Sequence, residues 1–242
     1  MHLFGYHPVR EALRHRPHEL VRVLVASGRG GNRRREIEEL AARHRVPLVR
    51  LPVGELSAAA GEGAAVHNGF VAELRASAAS SGTAAAAGDR DLELVVLVED
   101  VQDPHNLGAL IRVCEAAGVG RLLVRDRGSA PLSPVVAKAS AGAIEWLPIE
   151  RIVNSAQAIE SLQGEGFWAH AVVAGGEPAW QADLTGKVLL CLGGEEKGLR
   201  RRTESLCDRR LGLPMRGRVE SLNLSTAAAA VLYEAVRQRL AG

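Results

Sequence analysis

Aromatic residues are scarce in this 242-residue sequence: three Phe, three Trp and two Tyr, or 3%. A core must therefore come from Leu, Val, Ile and Ala. Cysteine is nearly as sparse. Cys114, Cys191 and Cys207 are odd in number and widely spaced, so they give neither a disulfide framework nor a zinc pattern, which suits a reducing cytoplasm. The eight histidines lie mostly in the N-terminal part and show no His-x-x-x-His spacing, so no metal site is expected. No apolar run approaches the roughly 20 residues of a membrane span, and residues 1–8 lack a signal peptide's basic region and apolar run. Nucleotide fingerprints are missing too. Gly193-Gly194 and Gly198 come nearest to a phosphate loop, but Glu195-Glu196 would repel a phosphate; a dehydrogenase or NTPase is disfavoured. A net charge of +2 decides nothing about partners.

What is present is a folded α/β pattern. Hydrophobic residues reach 47% and charged residues 24%, as in globular proteins, and the length allows one large or two small domains. Residues 1–75 read as a small α/β unit: a helix from Pro8 to Arg14, a strand from Leu20 to Ala26, and a helix from Arg33 to Arg45 with Ile37, Leu40 and Ala41 on one face. Strands follow at Val46–Leu51 and His67–Leu74, the latter entered through a turn at Asn68-Gly69. Residues 76–91 are small and polar and read as a flexible linker.

From residue 92 strands and helices alternate, predicting a parallel, doubly wound sheet. Strands are expected at Leu92–Val98, Arg121–Arg125, Trp146–Ile149, Phe167–Val173, Lys187–Leu192 and Arg210–Leu213. Helices are expected at Leu107–Ala117, Pro134–Ala141 (capped by Ser133), after Asn154, at Gly198–Cys207, and from Leu224 to Leu240.

Three loops at strand ends carry the polar residues that could do chemistry, where α/β sheets place their sites. Asn106 stands at a predicted helix start, as cap or as functional group. Arg112, amid Leu110, Ile111 and Val113, must snorkel or meet an anion. Residues 221–226 crowd four polar side chains around a helix start, more than capping needs. Arg33-Arg34-Arg35 and Arg200-Arg201-Arg202 are basic clusters: solvated faces, or phosphate contacts.

Taken together, Asn106-Leu-Gly-Ala-Leu-Ile-Arg112, Leu192-Gly-Gly-Glu-Glu-Lys-Gly198 and Leu213-Pro-Met-Arg-Gly-Arg-Val-Glu-Ser-Leu-Asn-Leu-Ser225 resemble the three motifs of the SpoU/TrmH family of RNA ribose 2′-O-methyltransferases, in the SPOUT superfamily. Residues 5–9 and 66–70 resemble the N-terminal RNA-binding domain of the branch that methylates one guanosine in 23S ribosomal RNA. The resemblance covers nearly the whole chain. It implies a methyltransferase domain over 92–242 with a deep trefoil knot, S-adenosylmethionine as cofactor, and a homodimer with the site completed near the subunit interface. It implies cofactor contacts at Gly193, Leu213 and Leu222, and a catalytic set of Arg112, Asn106, Glu195, Ser221 and Asn223. Arg33, Arg34, Arg35, Arg200 and Arg201 become candidates for RNA phosphates, in naked 23S RNA or a large-subunit precursor, with little base stacking.

The family's second motif usually has Gly where this chain has Glu196; if that position needs positive φ, glutamate fits poorly. The family account makes the arginine at Arg112 the base, but a guanidinium stays protonated above about pH 12. The safer expectation is that Arg112 holds the adjacent phosphate and stabilises the forming alkoxide, the proton going to phosphate or water. Asn106, Glu195, Ser221 and Asn223 would hold Arg112 and the ribose in line. The alternatives are a methyltransferase for tRNA or another rRNA nucleotide, and an RNA-binding ribosome-assembly factor without activity.

Overall fold

In a computed structural model, which describes residues 2–28, 31–60, 67–75 and 91–241, the chain forms two sheets. The N-terminal elements are β1 (His2–Phe4), α1 (Tyr6–His15), β2 (Leu20–Ala26), α2 (Asn32–Arg43), β3 (Leu48–Leu51), α3 (Val53–Ala60) and β4 (Phe70–Leu74). The sheet runs β1-β4-β2-β3; β2 and β3 are parallel, and β4 is antiparallel to β1 and β2. Leu3, Val9, Leu13, Val23, Val25 and Ile37 fill the core between this sheet and α1 and α2. The turn at Asn68-Gly69 forms with positive φ at both residues, as expected. β1 and α3 are additions to the sequence reading, and β3 starts at Leu48 rather than Val46.

The C-terminal elements are β5 (Asp91–Glu99), α4 (Pro104–Ala116), β6 (Val119–Arg125), α5 (Pro134–Ala139), β7 (Ile149–Ile152), α6 (Ser155–Gly164), β8 (Trp168–Pro178), β9 (Val188–Gly193), α7 (Arg201–Leu206), β10 (Arg209–Gly212) and α8 (Leu224–Ala241). All six strands pair in parallel, in the order β10-β8-β9-β5-β6-β7. The apolar run of β5 is explained by burial on both faces. Leu94, Val96 and Val98 pack with α4 and α8, while Val95 and Leu97 pack with α6. Each such aliphatic side chain contributes about 1.5–3 kcal/mol by leaving water. The stripe expected on the last helix is there: Leu224, Ala228, Val231, Leu232 and Ala235 are buried.

Several boundaries need correction. Asp91, assigned to the linker, begins β5; residues 76–90 lie outside the described residues. The strand expected at Trp146–Ile149 is β7, Ile149–Ile152. Trp146 instead ends a short 3-10 turn over Ala143–Glu145. The basic helix expected from Gly198 is only α7, because Gly198 takes φ +60° and Leu199 is buried. Helix α5 stops at Ala139, and Ala141 has φ 53°.

The two sheets meet through α1 and the 3-10 turn. Arg16 reaches across to Glu145, with Nη2 2.7 Å from Oε1 and Nε 2.5 Å from Oε2. Trp146 donates its indole N–H to Glu11 at 2.8 Å. Ala137 and Ile144 join the N-terminal core.

Candidate active site

The carboxyl ends of β5, β8 and β9 and the segment after β10 converge on one face. Backbone packing there is close enough to dictate glycine. A Cβ on Gly193 would sit 1.8 Å from the carbonyl carbon of Gly198, and one on Gly176 would sit 2.4 Å from that of Leu211. Gly194 and Gly198 pair as a short bridge, leaving Glu195, Glu196 and Lys197 as an exposed tip. The left-handed residue of this loop is Gly198; Glu196 is not among the residues with positive φ. The strain anticipated for a glutamate there is therefore absent.

The base of the loop is clamped to the end of β5. Arg200 grips Asp100 through Nε at 3.0 Å and Nη2 at 3.1 Å. Buried Glu99 accepts from the Arg200 amide at 3.2 Å and from the Thr203 hydroxyl at 3.0 Å. The Asp100 side chain holds the Arg200 pKa above its usual value. This clamp was not read from the sequence, where Arg200 appeared only as part of a basic run.

At the tip, the three motifs lock together. Asn106 donates its amide to Glu195 Oε2. Asn223 donates to Glu195 Oε1 at 2.6 Å and to Asn106 Oδ1 at 3.0 Å. Asn223 Oδ1 in turn accepts from the Ser225 amide at 2.9 Å and its hydroxyl at 2.7 Å, capping α8. Asn106 is free for this because it is not the cap of α4: Asp103 is, accepting from the His105 amide at 2.8 Å, with Pro104 in the first turn. Of the two readings open for Asn106, the cap is excluded: the cap lies three residues earlier.

Beside this cluster lies a cavity of about 800 Å³, within the usual range for small-molecule sites. Its wall includes Gly193, Leu213, Ser221 and Leu222 of the expected set, with Glu195 and Asn223 at the edge. Residues 172–176 at the end of β8, Leu199 and Met215 also line it. The Gly175-Gly176 pair was the available signal for β8 and went unread. The lining mixes leucine side chains with glycine backbone, so it offers apolar packing beside exposed amides and carbonyls.

Arg112 is not in this wall. It lies six residues beyond Asn106 on α4, about 9 Å along the axis and a third of a turn around it. It is exposed, and no described residue pairs with its charge. The expectation that Asn106, Glu195, Ser221 and Asn223 hold it therefore has no contact behind it within one chain. Of the basic candidates, Arg34 is engaged with Glu38 at 2.9 Å and with the Gly28 carbonyl at 2.6 Å. Arg200 is held by Asp100; Arg33, Arg35 and Arg201 are exposed.

Residues 93–233 match the SpoU rRNA Methylase family, and residues 2–79 match a domain described as RNA 2′-O ribose methyltransferase substrate binding. The chain belongs to the SpoU rRNA methylase family. A 23S rRNA (guanosine-2′-O-)-methyltransferase RlmB of Pseudomonas putida is 38% identical over 248 residues, covering 98% of this chain and 96% of that protein. An RNA 2′-O ribose methyltransferase of known crystal structure is 25% identical with a TM-score of 0.80, covering 99% of this chain and 89% of that one. The SpoU methyltransferase AviRb of Streptomyces viridochromogenes, solved with AdoMet, shares the fold with a TM-score of 0.77 at 24% identity, over 100% of this chain and 91% of that one. The SpoU core thus spans the parallel sheet, and the substrate-binding match spans the mixed sheet.

Proposed function

We propose that this chain methylates the ribose 2′-hydroxyl of a guanosine in 23S ribosomal RNA, with S-adenosylmethionine as the methyl donor. The observation that carries the reading is the joining of Asn106, Glu195 and Asn223, one from each motif, at the mouth of the cavity. The relatives that match nearly the whole chain supply the substrate. The cofactor fits the wall, since Gly193, Leu213 and Leu222 present backbone groups beside apolar side chains. S-adenosylmethionine, when bound there, supplies an electrophilic methyl group.

The chain's own part is positioning and charge. The three-residue cluster fixes the loop tips at the cavity mouth, so that the reacting groups meet in line. Ser221, exposed on the same wall, is available to the ribose. Arg112 binds the neighbouring phosphate and stabilises negative charge on the attacking 2′-oxygen while staying protonated. The proton leaves to phosphate or water. Arg112 stands apart from the cluster in one chain, and a homodimer that sets it against the partner subunit's cavity completes the site. The segment between the edge strand β10 and α8 lines the cavity, and the deep trefoil knot that the family implies belongs to the same proposal. The domain division at 76–91 and a cytoplasmic setting belong to the same proposal. No helix among the described residues is long and apolar enough to cross a membrane.

The test is transfer of labelled methyl from S-adenosylmethionine to unmodified 23S RNA and, in parallel, to transfer RNA. Label on one guanosine, reduced about 10²–10³-fold by Arg112→Ala, is expected. Label on transfer RNA alone would overturn the substrate, and label on neither RNA, with no binding of S-adenosylmethionine, would overturn the activity; no label with binding intact would move the substrate to a large-subunit precursor.

A further inference from the structure

The mechanism leaves Arg33 on α2 unused. Its guanidinium carbon lies 5.2 Å from the centre of the Tyr6 ring, and that of Arg10 lies 5.4 Å from the same ring. Tyr6 is a fixed platform: it is buried, donates its hydroxyl to Glu36, and packs edge-on against His7 at 4.9 Å and Phe70 at 5.7 Å. Arg10 is neutralised by Glu11, 2.5 Å away. Arg33 has no carboxylate partner among the described residues, and neither has Arg112. Arg14, Arg34 and Arg50, the neighbours of Arg33, are held by Glu36 and Glu38 instead.

Packing brings Arg33 and Arg112 together. Gly108 on α4 meets α5 so closely that a Cβ would fall 2.4 Å from that of Ala139. Arg112, four residues on, shares that face of α4. The turn after α5 continues to Gly142, where a Cβ would lie 3.2 Å from the His7 carbonyl oxygen. The start of α1, with exposed His7, therefore rests on the turn beside the Arg112 face. Partial burial first, then Arg10, Arg33 and Arg112, push the His7 pKa down against the pull of Glu11. His7 thus lies between Tyr6, the ring that Arg33 covers, and the turn that follows α5.

We infer that Arg33, His7 and Arg112 of one chain form a single cleft for the RNA backbone, in which the N-terminal unit and α4 grip phosphodiesters beside the target nucleotide together. This rests on the methyltransferase reading and adds to it how the substrate-binding unit is coupled to the catalytic arginine. The grip is in cis, both arginines belonging to the same chain. An anion in the cleft neutralises the two cations and accepts a hydrogen bond from His7.

The experiment measures affinity for an unmodified 23S RNA fragment against salt concentration, for the full chain and for Arg33→Ala, Arg33→Lys, Arg112→Ala and the double alanine variant. Thermal melts and S-adenosylmethionine binding on each variant separate folding from contact. Removing one phosphate contact should lower the salt slope by about 0.7–0.9. Arg33→Ala should therefore raise KM for RNA about tenfold with kcat little changed, as for loss of ground-state binding, and Arg33→Lys should restore the slope. The two alanine effects on RNA affinity should be non-additive, as for neighbours sharing a ligand. An unchanged slope for Arg33→Ala, or strictly additive losses, would overturn the shared cleft while leaving the enzyme reading intact. A wild-type chain that methylates no RNA would instead remove the reading on which the cleft rests.

Discussion

Two of the ties between distant parts of the chain work by opposite means. At the domain junction, Arg16 and Glu145 are charged, matched and nearly dry, with side-chain exposures of 14% and 1%. At the motif loops, Asn106 reaches 89 residues to Glu195 and 117 to Asn223, yet Glu195 and Asn223 are exposed and Asn106 half-buried. A dry ion pair fixes one arrangement, because separating it strands a charge. A wet amide–carboxylate cluster holds loops in place but can exchange partners with an arriving ligand. The first ties the two sheets together; the second holds the loops where the proposed chemistry would take place.

The first way to break the contrast is at the junction. Arg16→Ala leaves the Glu145 carboxyl buried and unmatched, where burial already pushes its pKa up against the pull of Arg16. Loss of one partner of a buried pair costs about 3–5 kcal/mol, which urea unfolding at neutral pH will read. Replacing both Arg16 and Glu145 with Met should recover most of that stability. A loss below about 1 kcal/mol for the single variant would mean that water reaches the pair, and the contrast would fail.

At the motif loops the effect should appear in turnover. Glu195→Ala removes the acceptor that both Asn106 and Asn223 use. Methyl transfer should fall about 10²-fold, or about 2.7 kcal/mol of transition-state free energy. Stability should move by no more than about 0.5 kcal/mol, as for an exposed site. A variant that unfolds in step with its loss of activity would show the cluster to be a structural tie like the junction.

Sequence alone could see the second region better than the first. Motif residues advertise themselves because polar groups at strand ends exceed what capping needs, as at Ser221 to Thr226. The parallel strands from β5 onward were legible from apolar runs covered on both sides. Glu145 gave no such sign: its partner lies 129 residues away, and nothing local marks a glutamate for burial. β1, only three residues long, is too short for periodicity, and strand order depends on pairing between distant segments. Asn106 stayed open between cap and functional group because its side chain suits both; the earlier Asp103-Pro104 pair was the signal for the cap. Arg200 looked like surface charge until Asp100 was placed opposite it.

The smallest effect separates a third kind of tie, the exposed cross-strand pair of Arg22 and Glu73, which bond at 2.8 Å through both guanidinium arms. The Arg22 hydrogen bonds hold the Glu73 carboxyl below its usual pKa, against partial burial that raises it. A depressed folded pKa stabilises the fold above the unfolded value near 4.5, and that contribution is lost as pH falls through the folded value. Stability measured in urea for wild type and Arg22→Ala should therefore differ slightly at pH 7 and converge as pH falls through the folded value. The gap should also shrink in high salt, since solvent screens an exposed pair, whereas the Arg16 gap should persist because its pair is dry. Equal salt sensitivity of the two gaps would show that burial does not distinguish the junction from the surface.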